Sequence, residues 1–240
     1  MRAVCTGDWH AGVAALDLAE QERVWHRIVD VAIENDVDLF LHGGDLFEGP
    51  LTTPEQMRAV LNPLARLHYS QIPVILLLGN GRHDLAARPV HGLDVLREIP
   101  GIQVSDRPEN IQVAGCVVST LPWTKRARDE DTATQLVQIA RGLHEEANGF
   151  PNVLLAHWSI SSGSLPNGLP LTELREPVLE WAELDAIGFD VIVAAHIHRY
   201  QELHDPALGD ETPGCYVGSP QPLSHGEGAY EHGVVLLEIE

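Results

Sequence analysis

Lysine is nearly absent from this 240-residue chain: Lys125 is the only one, beside 14 arginines and a formal net charge of −20. Nonspecific grip on nucleic-acid phosphates rests on arrays of Lys and Arg, and no long basic patch is present to supply it. The densest basic run, Lys125, Arg126 and Arg128, reads as a solvated loop or helix start in preference to a substrate contact. Cysteine is scarce too. Cys5, Cys116 and Cys215 are odd in number, widely spaced and without a C-x-x-C pair. A disulfide framework is therefore excluded, and all three read as reduced thiols, with Cys5 and Cys116 buried in strands. No apolar run reaches the roughly 18 residues that cross a bilayer, so no membrane association is expected. The first residues, MRAVCTGDWH, lack the apolar stretch of a signal peptide; a cytoplasmic setting is expected. There is no internal repeat and no long linker. The length suits one large α/β domain over residues 1–240, with no separate capping domain expected.

Apolar patterning alternates strand with helix. Residues 2–6, 37–42, 73–78, 152–156 and 190–195 read as buried strands, the third apolar on both faces and so interior to its sheet. Residues 19–35 predict a helix with Val24, Trp25, Ile28, Val29 and Ala32 on one face. Thr53-Pro54-Glu55-Gln56 predicts a second helix start, with Thr53 as N-cap and Gln56 closing a capping box. Pro63 should kink or split that helix. Short strands are expected near 102–105, 111–113 and 116–120, helices over 130–147 and 176–187, and turns and strands from 214 to 240. The fold class that follows is α/β, two β-sheets sandwiched between helices.

Five segments begin where predicted strands end: Gly7-Asp8-Trp9-His10, Gly43-Gly44-Asp45, Gly79-Asn80, Ala156-His157 and Ala195-His196-Ile197-His198. In open α/β sheets ligands gather beyond the carboxyl ends of strands, so these side chains can converge on one place. Each alone is weak: a lone Gly-Gly-Asp is usually a turn, and a lone buried His is usually a satisfied core residue. The ordered set is much more specific. It suits two divalent cations about 3.5–4 Å apart that clamp a phosphoryl oxygen and activate water. Asp45 is the natural bridge between them. The glycines before Asp8, Asp45 and Asn80 would let the backbone turn sharply after each strand.

This series resembles the calcineurin-like metallophosphoesterase superfamily, whose motifs run D-x-H, G-D, G-N-H-D, H and G-H-x-H. The likeness covers residues 3–84 and 150–204. It implies a four-layer αββα fold, one metal held by Asp8, His10, Asp45 and His198, and the other by Asp45, Asn80, His157 and His196. Manganese is the implied cation, with iron, zinc and magnesium as alternatives. Within the superfamily the chain is similar to the SbcD-type break-repair nucleases, through Gly44-Asp45-Leu46-Phe47, Phe189-Asp190, Ala195-His196-Ile197-His198-Arg199 and the tail Gly218-Ser219-Pro220, Leu223-Ser224, Gly226-Glu227.

Two departures stand out. The family places His directly after Asn, but here the run is Asn80-Gly81-Arg82-His83-Asp84. His83 remains the implied acid for the leaving oxygen, with Asp84 orienting its ring, and Arg82 is placed to contact phosphate. Ala195 replaces the first Gly of G-H-x-H. The resemblance implies a DNA nuclease, an ATPase partner of the SbcC type and pairing with a second copy of the chain. The −20 charge favours another reading, a small-molecule phosphodiesterase or phosphoprotein phosphatase on the same fold. A third reading is a non-catalytic metal-binding subunit, its acid displaced by the Gly81-Arg82 insertion.

Overall fold

The computed structural model describes residues 1–84, 91–124, 130–165, 167–174, 176–205, 209 and 212–239. In chain order the elements are β1 (Arg2–Thr6), α1 (Leu18–Glu34), β2 (Leu39–His42), α2 (Pro54–Tyr69), β3 (Val74–Leu77), β4 (Ile102–Ser105), β5 (Glu109–Val113), β6 (Cys116–Leu121), α3 (Glu130–Glu146), β7 (Asn152–Ala156), β8 (Ser159–Ile160), β9 (Val178–Leu179), α4 (Trp181–Asp185), β10 (Val191–Ala194), β11 (Gln201–Leu203), β12 (Gly214–Tyr216) and β13 (Val235–Glu238). One sheet has the order β13-β1-β2-β3-β4, and the other β11-β12-β10-β7-β6-β5. β1 to β4 run parallel, as do β12, β10, β7 and β6; β13, β11 and β5 close the edges antiparallel.

Strand alternation explains the layering. Side chains two apart share a face, and here both faces are apolar. Ala3, Cys5, Leu39, Leu41, Ile75 and Leu77 meet Val118, Val153, Leu155, Val191 and Val193 in a core between the sheets. The alternate residues Val4, Phe40, Val74 and Leu76 turn outward onto Trp25, Val29, Val60 and Leu64 of α1 and α2. On the far side Leu154, Ile192 and Ala194 pack with Leu136 and Ala140 of α3 and with Trp181 and Leu184 of α4. Four layers result, as the sequence implies. All three cysteines are free and buried.

The helix ends are capped as the local sequence dictates. Thr53 and Gln56 form the reciprocal capping box, with Gln56 N–H to Thr53 Oγ1 at 3.2 Å and Thr53 N–H to Gln56 Oε1 at 2.8 Å. Two expectations need correction. α2 is not split; it runs as one helix through Pro63. Burial of Val60, Leu64 and Leu67 outweighs the hydrogen bond that Pro63 lacks. The helix expected over 176–187 shrinks to Trp181–Asp185, and Val178–Leu179 is a strand paired with β8. Pairing of Val178 and Leu179 with Ser159 and Ile160 takes up the residues that the first turn of the helix would have used. The basic run Lys125, Arg126 and Arg128 lies outside the described residues.

Candidate metal centre

The carboxyl ends of β1, β2, β3, β7 and β10 deliver the five motifs to one place. Backbone bonds between the loops fix their mutual height: Asp8 N–H to Gly44 O at 2.9 Å, His10 N–H to Asp45 O at 3.0 Å and Ala11 N–H to Leu46 O at 2.9 Å. Trp9, between two candidate ligands, points the other way. Its ring stacks on Trp25 at 5.1 Å and its Nε1 donates to Thr6 Oγ1 at 3.0 Å. Burial of that indole anchors the loop and turns Asp8 and His10 to the site.

The sharp turns fall on unexpected residues. Asp8, His10, Asp45 and His196 themselves carry positive φ, of 50°, 45°, 52° and 92°. Gly44 shares this state at 109°, whereas Gly7 and Gly79 have a different role. A Cβ on Gly79 would lie 2.1 Å from both Asp45 N and Asp45 Oδ1, and one on Gly7 2.8 Å from Ala195 Cβ. These glycines allow close approach of neighbouring loops. The methyl of Ala195, the departure from the family glycine, is accommodated because Gly7 and Gly43 both face it.

Three groups of possible ligand atoms each lie within 4.8 Å of one another; one is His10, Glu48 and His83, and the two made of predicted ligands are Asp8, His10 and His198, and Asp45, His157 and His196. Asp45 stands between them. Its Oδ2 is 3.4 Å from His157 Nε2 and 3.8 Å from His10 Nε2. Both Nε2 atoms are buried and have no hydrogen-bond partner among the described residues. A buried imidazole nitrogen is rarely left so. Asn80 closes on the same carboxylate, with its backbone N–H on Oδ1 and its Nδ2 on Oδ2, both at 2.7 Å. Asp8 accepts the His196 N–H through both oxygens, at 3.1 and 3.0 Å.

Each candidate ligand histidine is oriented through its remaining nitrogen or a nearby acid. His157 Nδ1 faces Gly43 O at 2.8 Å, His10 Nδ1 faces Glu48 Oε2 at 2.9 Å, His196 Nε2 faces Glu176 Oε1 at 2.7 Å and His198 Nδ1 faces Glu227 Oε1 at 3.3 Å. Such partners fix ring orientation and raise ligand basicity. Glu48 and Glu176 were not anticipated from sequence. Glu227 was seen only as part of the tail motif.

The inserted loop still returns His83 to the site. Residues 81–84 form a turn closed by His83 N–H to Asn80 O at 3.1 Å. The His83 ring sits 4.4 Å from the His10 ring, and its Nε2 is 4.0 Å from Asp45 Oδ2. Its Nδ1 lies 2.6 Å from Glu48 O, so a backbone carbonyl orients the ring. Asp84 takes partners other than the expected one. Its buried carboxylate accepts the N–H groups of Leu46 (3.1 Å), Phe47 (2.9 Å) and Gly79 (3.0 Å). Three converging amide donors satisfy a buried carboxylate better than one imidazole, and they tie the Asp45 and Asn80 loops together. Arg82 is exposed, and its backbone N–H donates to Asn80 Oδ1 at 2.9 Å.

The electrostatics favour cations. Burial opposes ionisation of Asp45, but His157 and His10 beside it hold its carboxyl well below the usual range. Burial likewise opposes a charged His157, yet Asp45 and Asp8 push it to about 9. Burial and the Asp45 charge raise Asp84 to about 7, and burial lowers His83. The carboxylates that draw protons onto these imidazoles would equally draw a metal, and the two compete. Orphaned Nε2 atoms, hard carboxylates and neutral-nitrogen donors together fit a pair of divalent cations.

The four-layer α/β fold that carries this centre has counterparts among known proteins. The model of the calcineurin-like phosphoesterase family matches residues 1–200. The chain belongs to that family, a class of hydrolases acting on phosphoester bonds. It is 26% identical over 275 residues to the SbcD component of the SbcCD nuclease of Rhodobacter capsulatus, covering 100% of this chain and 66% of that protein. It is 33% identical over 212 residues to the DNA double-strand break repair protein Mre11 of Thermoplasma acidophilum, covering 81% of this chain and 51% of that one. The chain thus spans between about half and two thirds of the length of these relatives. A dimetal phosphatase from Danio rerio shares the fold at a TM-score of 0.54 and 9% identity, over 91% of this chain and 87% of that chain. Among the described residues no helix is long and apolar enough to cross a membrane.

Proposed function

We propose that this chain hydrolyses phosphodiester bonds in DNA at a two-cation centre, manganese being the expected metal, in the manner of the SbcD-type nucleases. The observation that carries the reading is Asp45 Oδ2, which faces two buried, partnerless imidazole nitrogens on opposite ligand groups. Asp8, His10, Asp45 and His198 would hold one cation, and Asp45, Asn80, His157 and His196 the other. A bound pair supplies Lewis-acid polarisation of the phosphate and a more acidic water.

The chain's own residues do the rest. Asp45 fixes the spacing of the two ligand groups. Glu48, Glu176 and Glu227 hold the rings of His10, His196 and His198. The Glu48 carbonyl only accepts, so it fixes a proton on His83 Nδ1; Nε2 is then the nitrogen from which His83 delivers a proton to the leaving oxygen. Burial lowers the His83 pKa and makes that proton easier to release. Asp84 positions the loop, and Arg82 is exposed beside it for a phosphate contact.

The substrate class is supported by relatives named for nuclease action and break repair, and by the tail. An ATPase partner of the SbcC type, pairing with a second copy of the chain and a cytoplasmic setting belong to the same reading. The −20 charge favours the alternative, a small-molecule phosphodiesterase or phosphoprotein phosphatase. Rates on single-stranded DNA, bis-p-nitrophenyl phosphate and p-nitrophenyl phosphate, with manganese, separate them. Hydrolysis of both diesters is expected, and a strong preference for the monoester would overturn the nuclease reading.

A further inference from the structure

Six of the described arginines have a carboxylate within ion-pair distance: Arg2, Arg23, Arg58, Arg66, Arg97 and Arg107. In a chain of net charge −20 that is the ordinary fate of a guanidinium. Among the described residues four arginines have no such partner: Arg27, Arg82, Arg141 and Arg199. Arg27 and Arg141 lie on the outer-layer helices α1 and α3. The other two flank the centre.

Their placement follows from the rings. The His83 ring lies 4.4 Å from that of His10, and the His10 ring 4.9 Å from that of His198. His10 is buried, and the His83 and His198 side chains beside it are partly exposed. Arg82 precedes His83 and Arg199 follows His198, so each guanidinium springs from the residue next to one of the two outer histidines. Both arginines are exposed.

The tail motif has a use here beyond the ligands. Ser219 N–H and Oγ both donate to His198 O, at 2.8 and 3.3 Å. Gly218, at φ +70°, lies so close that a Cβ would come within 2.7 Å of Tyr200 N and 3.1 Å of Arg199 C. Glu227 turns from its bond to His198 to accept the Leu223 N–H at 2.9 Å. Tyr230 then presents its ring beneath Arg199, whose Cζ is 5.4 Å from the ring centroid. The tail is a plate that supports the Arg199 backbone and holds its head in place.

We infer that Arg82 and Arg199 are paired phosphate anchors that engage a polynucleotide strand on the two sides of the phosphate being hydrolysed, with the Gly218–Tyr230 plate positioning Arg199. The inference rests on the phosphodiesterase reading above and adds the recognition of flanking phosphates, which a mononucleotide-sized diester lacks. Two guanidiniums at the site give a local grip that an overall acidic surface cannot.

The test compares Arg199→Gln and Arg82→Gln with Arg27→Gln and Arg141→Gln, all with manganese. Substrates are a labelled single-stranded oligonucleotide and bis-p-nitrophenyl phosphate. Each flanking variant is expected to lose at least tenfold more in kcat/KM on the oligonucleotide than on the small diester, chiefly through KM. The slope of log affinity against log salt should shrink by about 0.7 for each anchor removed. Tyr230→Leu should give part of the Arg199→Gln loss. The two control variants should match the parent. If the parent cleaves the oligonucleotide and Arg199→Gln behaves as Arg27→Gln, or loses equally on both substrates, the inference is overturned alone. If the parent cleaves the small diester and leaves the oligonucleotide intact, the DNA reading falls and this inference with it.

Discussion

The two ends of the sheets use the same uncommon backbone state for opposite purposes. Asp36, Gln71, Ala114 and Asn148, with φ of 46°, 60°, 50° and 53°, sit in turns that lead into β2, β3, β6 and β7. All four are exposed, and each only reverses the chain before a strand. At the other end Asp8, His10 and Asp45 adopt similar values while buried, and His196 reaches 92°. Left-handed backbone costs a non-glycine residue about 1–2 kcal/mol. At the amino ends a glycine would serve as well. At the carboxyl ends the strained residues are the ones with ligand chemistry, so glycine could not replace them. Strain is tolerated where a side chain must be both turned sharply and kept.

Substitutions at the two ends should therefore differ in kind. The largest effect is expected for Asp45→Ala, which removes the carboxylate that faces a histidine of each ligand group. Two-cation stabilisation is worth several kcal/mol, so hydrolysis of a diester should fall on the order of 10³-fold or more. The far-ultraviolet circular dichroism should stay that of the parent. A well-folded variant with full activity would break the comparison.

An intermediate effect is expected one shell out. Glu176→Ala and Glu48→Ala leave the ligands in place but release the rings of His196 and His10. Calorimetric titration with manganese should show affinity weaker by roughly 10–100-fold. Unchanged affinity would mean that the strand-end backbone alone orients the rings.

The smallest effect belongs to the amino end. Gln71→Gly relieves the positive φ but adds backbone entropy to the unfolded chain, and the two terms are each about 1 kcal/mol. Denaturant unfolding should therefore move by no more than about 1 kcal/mol in either direction, with hydrolysis unaffected. A loss of activity there would contradict the division between the ends.

How much of this could be read beforehand depended on the range of the signal. The strands, the layers, the Thr53 cap and the five motifs rest on local patterning, and the structure brings those motif residues together. His157 is marked by its position after an apolar strand and by the single-His motif of the family, and it lies against Asp45. The outer carboxylates were hidden for a geometric reason. Glu48 meets His10 from 38 residues away, Glu227 meets His198 from 29, and Glu176 meets His196 from 20. No period or spacing links such pairs. Glu176 is further obscured by the helix expected over 176–187, whose first residues pair as a strand instead. The partners of Asp84 were equally out of reach, because amide donors from two separate loops cannot be read from residue types.

The central claim is that Asp45 bridges two cations, and diffraction from manganese-soaked crystals at the manganese absorption edge tests it most directly. Two anomalous peaks are predicted, one among Asp8, His10 and His198 and one among Asn80, His157 and His196, with the Asp45 carboxylate between them. A single peak, or none within reach of Asp45, would contradict the account.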